Sequence, residues 1–454
     1  QRHNRIADMF GDVSIKTDIE EESASTAPSA YSALIKHLRT GVENGYIDAR
    51  AGELYAALHN DDEYARKLAS LPSALFPSVS AEPLGEDAAH RLYGARLGGG
   101  ITSIEKFNGC PFKHFASVGL KLTPRKEYRE RKADEGLFCH EAMSLLTKEL
   151  IAMGKGDGSI TNDRLETLLD SILPKLIAQH NNGVLMDTAR GRAAGARLIR
   201  RVKATAYAVV EQLRRGEFSI SGTEVEFGTG KRYPELILEL PGGGRYILSG
   251  RIDRIDSCTS DSGERFVRVI DYKSKSGSAF DCADIADGKR LQLPLYIAAI
   301  EAAGAAERAA GMYYLPVHEG IINSNGKEDD FGARILKEFR LRGACLNDAK
   351  LIELGGGEDV QPTARSGWRL SEEQLKGTVN FAVDKARQTA CKIAKGHAEA
   401  YPLMSKENKT ECEWCDYNSV CGFDATLPCC KYRRASIIKK DDFLEEVSHA
   451  QMDR

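Results

Sequence analysis

Around residue 219 the chain changes character, and the stretch that follows constrains its fold more than any other. FSISGTEVEFGTG, ELILELPGGGRYILSGRIDRIDS and RFVRVIDYKS read as β-strands separated by Gly-rich turns. Helical spacing flanks them. ADEGLFCHEAMSLLTKELIA is a long amphipathic stretch before them, within residues 101–220, which are mostly helical. Helix returns at GKRLQLPLYIAAIEAAGA, GMYYLPV at 311–317 reads as one more strand, and EEQLKGTVNFAVDKARQTACKIAKG at 372–396 reads as a helix ending near Gly396. The order helix, strands, helix, strand predicts an α/β core with a mixed central sheet flanked by helices.

Residues 1 to about 97 read as helices with polar breaks, SALIKHLRTGVENG and ELYAALHNDDEYARKLASL among them, interrupted by Pro72, Pro77 and Pro83. LGGG at 97–100 reads as a flexible joint. ITSIEKFNGCPF then starts a new unit, with Thr102 or Ser103 as the expected cap of a helix through Phe107. A length of 454 residues allows two or three domains. No apolar run approaches the roughly 20 residues that cross a bilayer, so no membrane partner is expected. The net charge of −3 gives no global basic signal, so nucleic acid would have to be held by a local groove. The chain starts QRHNRIADMF, with neither Met nor a signal-peptide pattern, as a piece of something longer would. Eleven cysteines, an odd number without a secretion signal, point to a reducing compartment, the cytoplasm. No Walker A pattern is present, so ATP hydrolysis by this stretch alone is not expected.

The strand VRVIDYKS ends on chemistry. Residues i and i+2 of a strand share a face, so Asp271 and Lys273 project together from an otherwise apolar strand. One strand earlier, SGRIDRID carries Asp253. The turn chemistry of CTSDSGE between them predicts a hairpin that sets Asp253 beside Asp271. Two carboxylates with a lysine suit a divalent-metal phosphodiesterase: Mg²⁺ takes oxygen ligands from one or two carboxylates plus substrate phosphate, and a lysine orients water or offsets developing charge. Solvated charges on an exposed strand would read the same way. Three further features lie nearby in the pattern. His140 sits in GLFCH one helical turn after Gly136, where a packing histidine is the alternative. Gln292 and Tyr296 share one helix face at i and i+4. Glu224 lies on the strand before Asp253, with Glu226 as its same-face companion.

Cys412, Cys415 and Cys421 form C-x2-C-x5-C, with Trp414 and Tyr417 between them. Three close thiolates need a fourth ligand to complete a tetrahedral or cubane site. Cys429 and Cys430 are near candidates, which would make a zinc ribbon. Cys110 in FNGCPFKHF is the distant one, and its aromatic surroundings suit an iron–sulfur cluster.

Taken together, G136-L-F-C-H140, E224-V-E-F, G250-R-I-D253-R, D271-Y-K273 and Q292-L-P-L-Y296 resemble the RecB-type branch of the PD-(D/E)xK nucleases in order and spacing. With C110-P-F-K-H-F and C412-x2-C415-x5-C421 the chain looks like the iron–sulfur members of that branch, and over about residues 100–425 like the nuclease-bearing second subunit of AddAB-type helicase–nucleases. The resemblance implies a restriction-endonuclease-like core and a [4Fe-4S] cluster on Cys110, Cys412, Cys415 and Cys421 that staples the two ends of the domain. It implies Mg²⁺ held by His140, Asp253 and Asp271, with Lys273, Glu224, Gln292 and Tyr296 completing the catalytic set. Its domains are then 1–97, the end of a helicase-like region; 98–430, the nuclease; and 431–454, a C-terminal tail. The implied function is Mg²⁺-dependent exonucleolytic processing of double-strand DNA ends for recombinational repair, with single-stranded DNA in the nuclease channel and an AddA-like helicase–nuclease subunit as partner in a heterodimer. Two departures from the pattern are Cys139, where a larger apolar residue is usual, and a second lysine, Lys275. Other readings are a catalytically inactive iron–sulfur DNA-end scaffold, disfavoured by the intact Asp253, Asp271 and Lys273, and a stand-alone iron–sulfur exonuclease of the CRISPR-adaptation kind, disfavoured by the residues before 97 and between 150 and 215.

Overall fold

The computed structural model describes residues 25–75, 82–94, 96–125, 128, 130–274, 280–304, 307–320, 331–365, 368–427 and 429–452; Lys275 and Pro77 lie outside them. The chain forms two compact units, one of Gln1–Ser80 with Asp424–Cys430 and one of Ala81–Phe423 with Lys431–Arg454. In the first, α1 (Ala27–Asn44), α2 (Ala49–His59) and α3 (Asp62–Leu75) bury Leu34, Leu54, Leu58, Leu68 and Leu71 in one apolar cluster. Thr26 opens α1 through a capping box with Ser29, and Asp48 accepts the Ala51 N–H at the start of α2. Pro72 does not break the helix. It lies near the end of α3, where its missing N–H forfeits a single intrahelical bond.

The second unit begins with a short helix, Glu86–Tyr93, and then β1 (Leu97–Gly100), so LGGG is a strand and not a joint: it pairs in parallel with Tyr246–Ser249. Glycine permits this, because a Cβ on Gly98 would come within 2.7 Å of the Ile247 carbonyl oxygen. α4 (Ile101–Gly109) follows with Gly100 as its cap and no side-chain capping bond. Ser103, expected as a cap, lies inside the helix and bonds the His114 ring at 3.0 Å. Then come α5 (Lys132–Ala152), α6 (Asn162–Gln179) and α7 (Ala189–Arg215). The strands β2 (Ser219–Phe227), β3 (Leu236–Glu239), β4 (Arg245–Thr259) and β5 (Arg265–Lys273) match the expected series. After them run α8 (Gln292–Ala302), β6 (Glu307–Pro316), β7 (Arg342–Leu346), β8 (Trp368–Leu370), α9 (Glu372–Ala394) and α10 (Lys440–Met452).

Among the described residues eight strands form one mixed sheet, in the order β1-β4-β5-β6-β7-β8, with β2 and β3 also on β4. β4 is its spine. The first part of β4 pairs with β1 and β3, and the rest with β2 and β5. β4 and β5 are antiparallel, Arg254 opposite Ile270, which is the expected hairpin, and β6 runs parallel to β5. Val267 and Val269 of β5 enter a core shared with α4, α8 and α9, whereas Ile270 and Tyr272 enter another shared with α5, α6 and α7. Helices thus cover both faces, which is why β5 reads as a nearly continuous apolar run, broken by Arg268. The segment 431–454, expected as a tail, carries α10, whose Phe443, Leu444 and Val447 sit in the first of these cores.

Candidate active site and cysteine centre

The apolar run of β5 gives way at its end to Asp271 and Lys273, and the hairpin brings Asp253 alongside. Asp253 Oδ2 accepts the backbone N–H of Tyr272 at 3.1 Å, which locks the carboxylate of β4 to the strand carrying Asp271. His140, on α5, meets the same oxygen through Nδ1 at 3.0 Å. Burial works against its imidazolium, but the hydrogen bond and charge of Asp253, with Asp271 behind it, outweigh burial and raise the pKa of His140. Asp271 is 2% exposed. Burial first, and the neighbouring charge of Asp253 second, push its pKa up to about 6 against the pull of Lys273. The Lys273 ammonium pairs with Asp271 Oδ2 at 2.5 Å and donates to Gln292 Oε1 at 3.0 Å.

Gln292 opens α8. One turn on, Tyr296 is buried edge-on to Phe227 with ring centroids 6.2 Å apart, and its hydroxyl pKa is raised first by burial and then by Asp271 and Asp253. Glu224 and Glu226 do not behave as a pair. Glu224 has φ +51°, a conformation rare outside glycine. It is ion-paired with Arg251, and burial and then Asp253 act to raise its pKa against the pull of Arg251. Glu226 is exposed and pairs with Lys231. Behind the carboxylates, Arg254 donates to Asp256 at 2.6 and 2.8 Å and Arg268 donates to it at 2.8 Å, all three buried. GRIDRID is therefore no exposed alternating strand.

Sequence reasoning misses Glu105 of α4. It accepts the N–H groups of Leu291 and Gln292 at 2.7 and 3.2 Å, and burial pushes its pKa up to about 7, with Lys273 opposing and Asp271 adding to the rise. Its only sequence signal is a carboxylate four residues after buried Ile101 and three before buried Asn108, on the inward stripe of a helix.

Cys110 follows α4, and Cys412, Cys415 and Cys421 follow α9. Burial first, then the charges of Cys110, Cys415 and Cys421, push the Cys412 thiol up to about 11, so the four are electrostatic neighbours although far apart in sequence. Glu411 bridges the two chain segments beside them. It accepts from Lys113 at 3.1 Å and also pairs with Lys289, whose pKa falls to about 8 through burial and the charge of Lys113. Cys429 and Cys430 belong to the other compact unit, their sulfurs 4.0 Å apart.

Among the described residues no three His, Cys, Asp or Glu side chains already converge as a metal site. In the active-site set the donors are turned onto one another, His140 onto Asp253 and Lys273 onto Asp271. Their chemistry nonetheless fits a divalent cation: Asp271 is buried beside a second carboxylate, Asp253, and its pKa stays raised to about 6 although Lys273 lies against it, so the ionised pair calls for more positive charge than the lysine supplies. Four neighbouring thiols likewise have the donor chemistry of an iron–sulfur or zinc centre.

The mixed central sheet flanked by helices agrees with the family comparison. Residues 101–422 match the PD-(D/E)XK nuclease superfamily, and the chain belongs to it. More particularly, the chain is similar to proteins named as the B-type subunit of an ATP-dependent helicase/deoxyribonuclease. It is 24% identical to that of Alkaliphilus metalliredigens over 98% of this chain and 41% of the relative. The figures are 31% over 86% and 35% for Moorella thermoacetica, and 30% over 95% and 39% for Symbiobacterium thermophilum. The chain thus spans about two fifths of the length of these curated relatives. Among the described residues no helix is long and apolar enough to cross a membrane.

Proposed function

We propose that the chain carries the Mg²⁺-dependent DNA exonuclease activity of a helicase–nuclease subunit that processes double-strand ends for recombinational repair in the cytoplasm, partnered by an AddA-like subunit. The observation that carries this reading is the Asp253–Asp271–Lys273 arrangement at the β4–β5 hairpin, with His140 on Asp253. Asp253, Asp271 and His140 would hold the metal. Bound there, a divalent cation supplies Lewis acidity toward the scissile phosphate and offsets its charge. Lys273, held by Gln292, orients the attacking water or stabilises charge developing on the phosphate. Tyr296 and Gln292 position the lysine and the DNA strand. Glu224 sits beside Asp253 as an auxiliary carboxylate. Cys110, Cys412, Cys415 and Cys421 would hold a [4Fe-4S] cluster whose role is structural, since four thiolates leave no iron site for substrate.

The test is cleavage of end-labelled linear DNA with Mg²⁺, using Asp271→Ala in a preparation free of partner nuclease. Cleavage should be lost while DNA binding persists. Full activity in the variant would overturn the assignment, and a wild-type protein that binds ends without cutting would favour the inactive scaffold.

A further inference from the structure

The carboxylate of Glu105 reaches the start of α8 from a different helix. Leu291, at the N-cap position of α8, provides no side-chain capping bond, and helix N-termini leave their first N–H groups without intrahelical partners. Glu105 accepts two of them, and a negative group at that end is also favoured by the helix dipole. Three residues further along α4, Asn108 donates to the Gly288 carbonyl at 3.0 Å and accepts from Thr389 at 3.0 Å. One stripe of α4 therefore grips the turn at 288–292. The residue so anchored, Gln292, is the one that accepts the Lys273 ammonium.

We propose that Glu105 is a positioning residue for Lys273, acting through the N-terminus of α8. The inference rests on the reading of Lys273 as part of a nuclease site. α8 cannot turn about its axis, or slide toward its C-terminus, without breaking the two bonds to Glu105. Such a movement would carry the Gln292 oxygen away from Lys273 and leave the ammonium, already paired with Asp271 at 2.5 Å, held by that carboxylate alone. A leucine at position 105 would suit buried Ile101, Ile104 and Phe107 better in packing terms. A partly buried carboxylate is costly there unless its bonds to α8 offset the desolvation. α4 also runs directly into Cys110, so the same helix joins the thiol neighbourhood to the candidate catalytic lysine.

Glu105→Gln, Glu105→Asp and Glu105→Ala test this in two ways. Hydrogen exchange on the metal-free protein reads whether Leu291 and Gln292 remain protected. Steady-state cleavage of linear DNA with Mg²⁺ at varied DNA concentration reads kcat and KM separately. The Ala and Asp variants should lose protection at Leu291 and Gln292. Their kcat should fall by about tenfold or more, with KM changing less than about twofold. Gln keeps an acceptor oxygen at the same reach and should retain both. Asp keeps the charge but falls one methylene short, so it decides the matter if Ala fails to fold. Wild-type protection and kcat in the Asp variant, or a loss in Gln equal to that in Ala, would overturn the proposal. Absence of cleavage by the wild type would overturn the nuclease reading and the link to Lys273 with it, whereas the exchange data alone report whether Glu105 holds α8.

Discussion

His114 is 1% exposed, packed between the Tyr93 and Phe107 rings and bonded to Ser103. Burial first, and the charge of Lys106 second, push its pKa down to about 4. The unfolded chain, with an ordinary histidine, binds a proton below about pH 6.5 that the native protein refuses until about pH 4. Stability contributed by neutral His114 is therefore complete above that window and lost as pH falls through it. His114→Asn should flatten the acid limb of a denaturant-unfolding series by on the order of 1–3 kcal/mol between about pH 7 and pH 4. Parallel slopes for the two proteins would contradict this. Glu224 makes a second point about single residues. Strand alternation puts Glu224 and Glu226 on one face, yet the register sets Glu226 opposite Arg251, so only Glu224 lies beside Asp253, and it does so with φ +51°. Backbone strain of this kind costs about 1–3 kcal/mol and persists only where the surroundings enforce it.

The β4–β5 hairpin is the element on which the candidate site depends, and its stiffness comes from the buried Arg254–Asp256–Arg268 set. Asp256→Ala would leave two buried guanidinium groups without their carboxylate, at a cost of about 3–5 kcal/mol. Chemical denaturation should show that loss, and cleavage by the surviving folded fraction should fall as well. A change within about 0.5 kcal/mol would mean that water or main chain already satisfies the arginines. The hairpin itself was legible in the sequence, because Gly-rich turns and an apolar run mark strands directly. The burial of Arg254 was not, because its neutralisation depends on Arg268 across the hairpin sharing Asp256, and charge alternation in GRIDRID fits an exposed strand equally well. LGGG misled for a related reason: its partner strand lies about 150 residues away, and glycine-rich sequence looks like a joint wherever the close approach that requires glycine is unseen. Glu105 left almost no trace, since its partners are backbone N–H groups that every residue but proline supplies.

At the scale of the whole molecule, Cys110 and Cys412 close a loop of about 300 residues, and loop-closure entropy grows only slowly with such a length. If the four thiols hold a cluster, Cys110→Ala should lose iron, gain proteolytic sensitivity and weaken DNA binding, whereas Cys429→Ala and Cys430→Ala should keep full iron. Iron per chain and the visible absorbance of anaerobically purified protein measure this. The reverse pattern would replace the staple with a compact C-terminal metal site.

The distance along the chain between the thiols also sets a clock. Cys110 leaves the ribosome long before Cys412 exists. At roughly 5–20 residues per second the gap of about 300 residues takes on the order of 15–60 seconds to synthesise. For that time the nascent protein carries only one of the four candidate ligand thiols, Cys110, and an α4 whose neighbour α9 is still being made. Whatever supplies iron and sulfide to such a centre would therefore have to meet a chain already synthesised past Cys421, so assembly of the centre would trail synthesis of the fold around it.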